Sequence, residues 1–186
     1  MSTERKRKRP QKSESLTIRL DPKMRFALEF VARLRGQTIT KVIERAVMED
    51  AENAYVTDGG RNIKGNWSIY WDVNDGVRAI KLASDSDTHP SFEEDEMLDF
   101  IKVHWNYFSF DRKLLTLRRD NLDILWPEIE NLIETWRNCK ATNRKYCASL
   151  MRAMLVEAGL DEKSWAPSNM DDERHLVDPA DASIPF

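Results

Sequence analysis

The chain has 186 residues, 41% hydrophobic and 33% charged, with two cysteines and three histidines. That inventory excludes a disulfide-stapled secreted module and leaves too few ligands for a Cys/His structural zinc site. At about 150 residues per domain it allows one domain or two small ones. No apolar run approaches the roughly 18 residues of a membrane span, and no apolar core follows the basic N-terminus, so the expectation is a soluble, cytoplasmic protein of a reducing compartment.

The net charge of −3 conceals a division. Residues 1–48 hold 13 Lys and Arg against 5 Asp and Glu, a balance of +8, which leaves 16 against 27, a balance of −11, for the remainder. A basic end beside an acidic body points to nucleic acid or a membrane surface as partner of the basic end. Residues 1–14 read as a disordered arm: Arg5, Lys6, Arg7, Lys8 and Arg9 are consecutive, and Pro10 stops any helix. Such an arm is expected to grip phosphates.

Ser15 to Leu20 alternate. Leu16, Ile18 and Leu20 point one way and Ser15, Thr17 and Arg19 the other, the pattern of a half-buried strand. Asp21-Pro22 then opens a helix whose stripe is Met24, Leu28, Val31 and Ala32. Gly36 closes it in the position that favours a left-handed residue. Thr38 is placed to cap a second helix with the stripe Ile39, Val42, Ile43, Ala46 and Val47. One strand and two helices are incomplete alone, and a second copy would pair the strand and cover the helices.

Residues 15–48 resemble a ribbon-helix-helix domain of the Arc/MetJ/CopG kind, on the strand SLTIRL, the DP at the helix start and GQTITKVIERAV as turn and second helix. The resemblance covers about a fifth of the chain. It implies a mainly α fold beginning with an intertwined dimer, which lays a two-stranded ribbon in the DNA major groove. It implies base contacts from Ser15, Thr17 and Arg19. Phosphate contacts would come from Arg5, Lys6, Arg7, Lys8 and Arg9 and, at the start of the second helix, from Thr38, Ile39, Thr40 and Lys41. The dimer core would be Leu16, Ile18, Leu20, Met24, Leu28, Val31, Ala32, Val42, Ile43, Ala46 and Val47. The implied function is a homodimeric, sequence-specific DNA-binding repressor or autoregulator of prokaryotic or mobile-element origin, of higher order on DNA and nucleoid-associated when bound. An antitoxin, or an accessory of plasmid DNA processing in a relaxosome, are the alternatives.

Residues 53–66, with Gly59, Gly60 and Gly65 close together, read as a linker. Residues 67–160 read as a second, mostly helical domain: 11 of the 17 aromatic residues lie between 67 and 136. Within it, Trp67 to Val73 alternate as a short strand would. Asn74 and the pair Ser91/Glu94 mark helix starts, Pro127 divides a long helical pattern, and Gly159 ends the last one. A protein partner or effector is expected on this domain. Residues 161–186 read as an acidic, disordered tail.

No nucleophile elbow, phosphate-binding loop, HExxH or paired Cys-x-x-Cys occurs. His104, beside an apolar stripe, reads as structural, and Cys139 and Cys147 as idle thiols. No enzyme activity, metal or cofactor is expected, and no membrane partner, since no lipidation motif or basic amphipathic helix accompanies the arm.

Overall fold

A computed structural model describes residues 17–162 and Trp165. The chain divides into two compact units, Met1–Glu52 and Asn53–Phe186.

In the first unit, α1 spans Pro22–Arg35 and α2 spans Ile39–Asn53. Asp21 caps α1: its carboxylate accepts the Met24 N–H at 2.8 Å. Gly36, at φ +60°, ends the helix, and the next N–H, of Gln37, returns to the Ala32 carbonyl at 2.9 Å. Thr38 Oγ1 accepts the Lys41 N–H at 3.2 Å and so opens α2. Each helix has a single buried residue, Ala32 and Val42.

The ribbon-helix-helix reading is overturned here. Thr17, Ile18, Arg19 and Leu20 form no strand, and Ile18 and Leu20 are 53% and 41% exposed. The sheet follows the two helices instead of preceding them. It is a hairpin closed within the chain, β1 (Tyr55–Asp58) antiparallel to β2 (Asn62–Asn66), and not a strand exchanged with a second copy. The physical reason is proximity. Six alternating residues at 15–20 have no neighbour in sequence to pair with. Asp58-Gly59-Gly60 brings two runs together over a minimal loop, with Gly59 and Gly60 at φ +54° and +79°. The stretch expected as a linker is therefore this hairpin. With the ribbon go the intertwined dimer and the major-groove reading that rested on it: the sequence-specific repressor, the antitoxin and relaxosome alternatives, and the dimer–DNA complex. Of the expected dimer core, only Ala32 and Val42 are buried. Leu28, Val31 and Ile43 are half-buried, and Met24, Ala46 and Val47 are exposed. Arg5, Lys6, Arg7, Lys8, Arg9, Ser15 and Leu16 lie outside the described residues.

In the second unit the hairpin is followed by a 3-10 turn at Trp67–Ile69 where alternation had suggested a strand. Lys64 is the extra residue of a bulge in β2. Its ammonium reaches Asp85 at 2.9 Å and Asp87 at 3.0 Å, and the Tyr70 hydroxyl also donates to Asp85, at 2.8 Å. These bonds tie the hairpin to the turn after α3 (Asp75–Ala83). The helices α4 (Phe92–Val103), α5 (Trp105–Phe108), α6 (Arg119–Leu125), α7 (Ile129–Cys139) and α8 (Lys145–Glu157) complete the unit. Ser91 and Glu94 form the capping box at α4. Pro127 sits in a 3-10 turn between α6 and α7, where a missing N–H is tolerated.

One continuous core joins these helices, with Ile80, Phe100, Ile101, Phe108, Leu122, Leu125, Leu132, Met151 and Leu155 fully buried. Trp165, past the last helix, is buried in the same core, its ring 5.6 Å from that of Tyr107. Gly76 lets α3 approach α6: a Cβ there would stand 2.7 Å from the Trp126 ring. Across the same junction Arg119 holds Asp72 with both terminal guanidinium nitrogens, and Asn74 donates to Asp123 at 2.7 Å.

Candidate protein-docking site

The two sides of α1 differ in cover. At 3.6 residues per turn, Leu28, Val31 and Ala32 share one side, and they are the half-buried and buried positions. Phe26, Phe30 and Leu34 recur every fourth residue on the other side and are 69%, 56% and 72% exposed. Lys23 and Arg33 fall on this same side, Lys23 about one turn before Phe26 and Arg33 between Phe30 and Leu34. Both are exposed, and among the described residues neither has an ion-pair partner. Ten residues at 1.5 Å rise put them about 15 Å apart along the axis. Arg25 is engaged by Glu29 at 3.2 Å. The helix as a whole carries four cations against one carboxylate.

Removing one large apolar side chain from water is worth roughly 1.5–3 kcal/mol. Three such chains, already partly covered, leave on the order of 3–6 kcal/mol to be gained by docking. Scattered single hydrophobics are ordinary on protein surfaces, but a row on one helix face is the pattern by which an amphipathic helix enters a groove.

The second unit has an aromatic surface of its own. Trp67 and Trp71 meet edge to face at 6.4 Å, and the Arg78 guanidinium lies 4.7 Å from the Trp71 ring centre. Its polar groups are already engaged within the unit. Arg78 bonds to Asp75 and to the Asp72 carbonyl, and Lys81 donates to the Ile69 carbonyl at 3.1 Å. Near the Gly36 turn, a surface depression of about 260 Å³ is lined by Glu29, Ala32, Arg33, Gly36, Gln37 and Ile39. Another, of about 420 Å³, is edged by Lys41 and Glu44, which pair at 3.2 Å, and by Arg45, which is held by Gln37 at 2.7 Å and Glu49 at 3.5 Å.

The titratable groups of the second unit are arranged for packing. His104 is buried between Phe100 and Trp136, with ring centres 4.8 and 4.7 Å away, and its Nε2 has no hydrogen-bond partner among the described residues. Burial pushes its pKa down to about 4. Burial likewise pushes the Cys147 thiol up to about 12. Arg119 holds the Asp72 carboxyl below the usual carboxylate range. Among the described residues no group of three or more His, Cys, Asp and Glu could hold a metal ion, and no helix is long and apolar enough to cross a membrane.

The residues expected to read DNA are not gathered into a site. Thr17 and Arg19 lie in an exposed irregular segment, Thr38 spends its hydroxyl on capping α2, and Lys41 pairs with Glu44 at 3.2 Å. Phe26, Phe30 and Leu34 do not stand out in the sequence, because the rival stripe Met24, Leu28, Val31 and Ala32 also has helical spacing. What singles them out is their exposure in the folded chain, which local spacing does not show. No known protein family, curated protein or solved structure matches the chain.

Proposed function

We propose that the protein is a non-enzymatic binding protein that docks onto a partner protein through the outer face of α1. The observation that carries this reading is the exposed row Phe26, Phe30 and Leu34, which lies opposite the covered side of the same helix. In the described part of the first unit only Ala32 and Val42 are buried, which leaves these two helices little core of their own. A bound partner adds to that core. The second unit, with a full core of its own, is the body to which the docking helices belong. A cytoplasmic location goes with this proposal, since both cysteines are free thiols, as in a reducing compartment.

The test is site-directed photo-crosslinking in the protein's source cell, with p-benzoylphenylalanine in place of Phe30 and, as a control, in place of Leu115, an exposed position on the second unit. Docking through α1 gives a discrete protein adduct from position 30 and none of the same mass from position 115. The same adduct from both positions, or none from position 30, would remove the reading.

A further inference from the structure

Two thiols frame the turn between α7 and α8. Cys139 is the last residue of α7 and is half-buried; Cys147, in the first turn of α8, is fully buried. The Cys139 carbonyl accepts the Thr142 N–H at 3.0 Å and the Asn143 N–H at 2.7 Å, so the chain turns back tightly and α8 begins at Lys145. The Cys147 thiol donates to the Leu132 carbonyl of α7 at 3.6 Å, which puts its sulfur on the Leu132 side of that helix. Cys139 follows Leu132 by seven residues and so faces within about 20° of the same side. A helical carbonyl points toward the C-terminus, so the oxygen that Cys147 touches is displaced toward Cys139. Both side chains pack into the single core of the second unit.

We propose that, independently of docking through α1, Cys139 and Cys147 form a peroxide-responsive pair in which oxidation closes a disulfide that clamps the α7–α8 turn. Cys139 is the sulfur that a peroxide reaches. Hydrogen peroxide gives one hydroxyl to this sulfur, which loses two electrons and becomes a sulfenic acid. The O–O bond breaks, and the other hydroxyl leaves as water with the thiol proton. The Cys147 sulfur then attacks the sulfenic sulfur. The S–S bond forms, the S–O bond breaks, and the hydroxyl leaves as water with the Cys147 proton. Burial first, and then the nearby Cys139 thiol, push the Cys147 pKa up to about 12. An oxidant from outside therefore spares Cys147, which reacts only with the sulfenic acid beside it.

The test is titration of the reduced full chain with hydrogen peroxide, followed by blocking of free thiols and tryptic mapping without reduction. The wild type should yield a product lighter by two hydrogen atoms, with the peptide Asn138–Lys140 joined to Tyr146–Arg152. Dithiothreitol should restore the starting mass. The linked protein should melt about 5 °C or more above the reduced one, since the closed loop restricts the unfolded chain. Cys147→Ala should leave Cys139 as a sulfenic acid that dimedone captures, several-fold more than in the wild type. Cys139→Ser should leave Cys147 unoxidised. The linked peptide of the wild type decides the matter even where a variant folds poorly. Oxygen added at Cys139 with no linked peptide overturns the proposal. So does a Cys139–Cys139 link between two chains, or a link that forms only in urea. A linked protein that melts no higher than the reduced one overturns the clamp.

Discussion

Phe30 and Ala32 are two positions apart on α1, yet Phe30 is 56% exposed and Ala32 is 6% exposed. The larger apolar side chain is the one left in water. A helix built only to pack within its own chain would place them the other way round, because burial gain grows with apolar area.

Replacing Phe30 with Ala should therefore leave the free protein about as stable as the wild type, since an exposed side chain contributes little. Leu122→Ala, at a fully buried position in the second unit, should lower stability by about 2–5 kcal/mol. Chemical denaturation of both variants, followed by circular dichroism, checks the contrast. Comparable losses in the two would show that Phe30 is covered in solution.

Gly76→Ala should destabilise the second unit by about 1–3 kcal/mol through overpacking, although alanine is the better helix former. The added methyl would meet Trp126 at 2.7 Å and Leu122 at 3.0 Å, and both are held in place by the core. A thermal melt decides it: a rise in melting temperature would mean that α3 and α6 are further apart than described.

His104 makes the second unit sensitive to acid. Its folded pKa is about 4 against an ordinary value of 6.5. Between those values the unfolded chain binds a proton that the folded chain refuses, so stability falls as pH drops from about 6.5 to about 4 and levels off below that. The total is roughly 3 kcal/mol from this group. His104→Phe should remove that slope while keeping the aromatic packing with Phe100 and Trp136. Asp72 acts lower down. Its folded pKa lies below 3.8, so its contribution is present above that value and is lost as pH falls through the folded pKa. Denaturation midpoints across pH 3 to 8 separate the two; an unchanged slope in His104→Phe would show that His104 is protonated or solvated in the folded chain.

The two thiols should react very differently. Cys147 is fully buried, with a pKa raised to about 12, and its thiol donates to the Leu132 carbonyl at 3.6 Å. Cys139 is half-buried at the end of α7. Brief alkylation of the folded protein, read by peptide mass spectrometry, should label Cys139 first and Cys147 only on unfolding.

Local signals in the sequence located the helix ends. Asp21-Pro22 and Gly36 bound α1, Ser91 and Glu94 open α4, and Pro127 separates α6 from α7, because caps and prolines act on their nearest neighbours. Alternation misled in two places. Six residues at 15–20 and seven at 67–73 have the period of a strand, but period alone supplies no hydrogen-bonding partner. Residues 17–20 are irregular and Trp67–Ile69 a 3-10 turn. The hairpin at 55–66 was hidden by its own turn, since glycines that permit positive φ also look like a linker. Trp165 lies among acidic, polar residues, and nothing local marks it as part of the core. The face of α1 was obscured because two apolar stripes share one helix, and only tertiary burial distinguishes them.

The most direct measurement is the affinity of the partner identified by crosslinking at position 30, determined by titration calorimetry with purified full-length wild type and with Phe30→Ala. Docking through the outer face of α1 predicts binding weaker by about 30-fold or more, the loss of roughly 2 kcal/mol typical of a central aromatic anchor, with the melting temperature of the free protein unchanged. Equal affinity for the two proteins would contradict it.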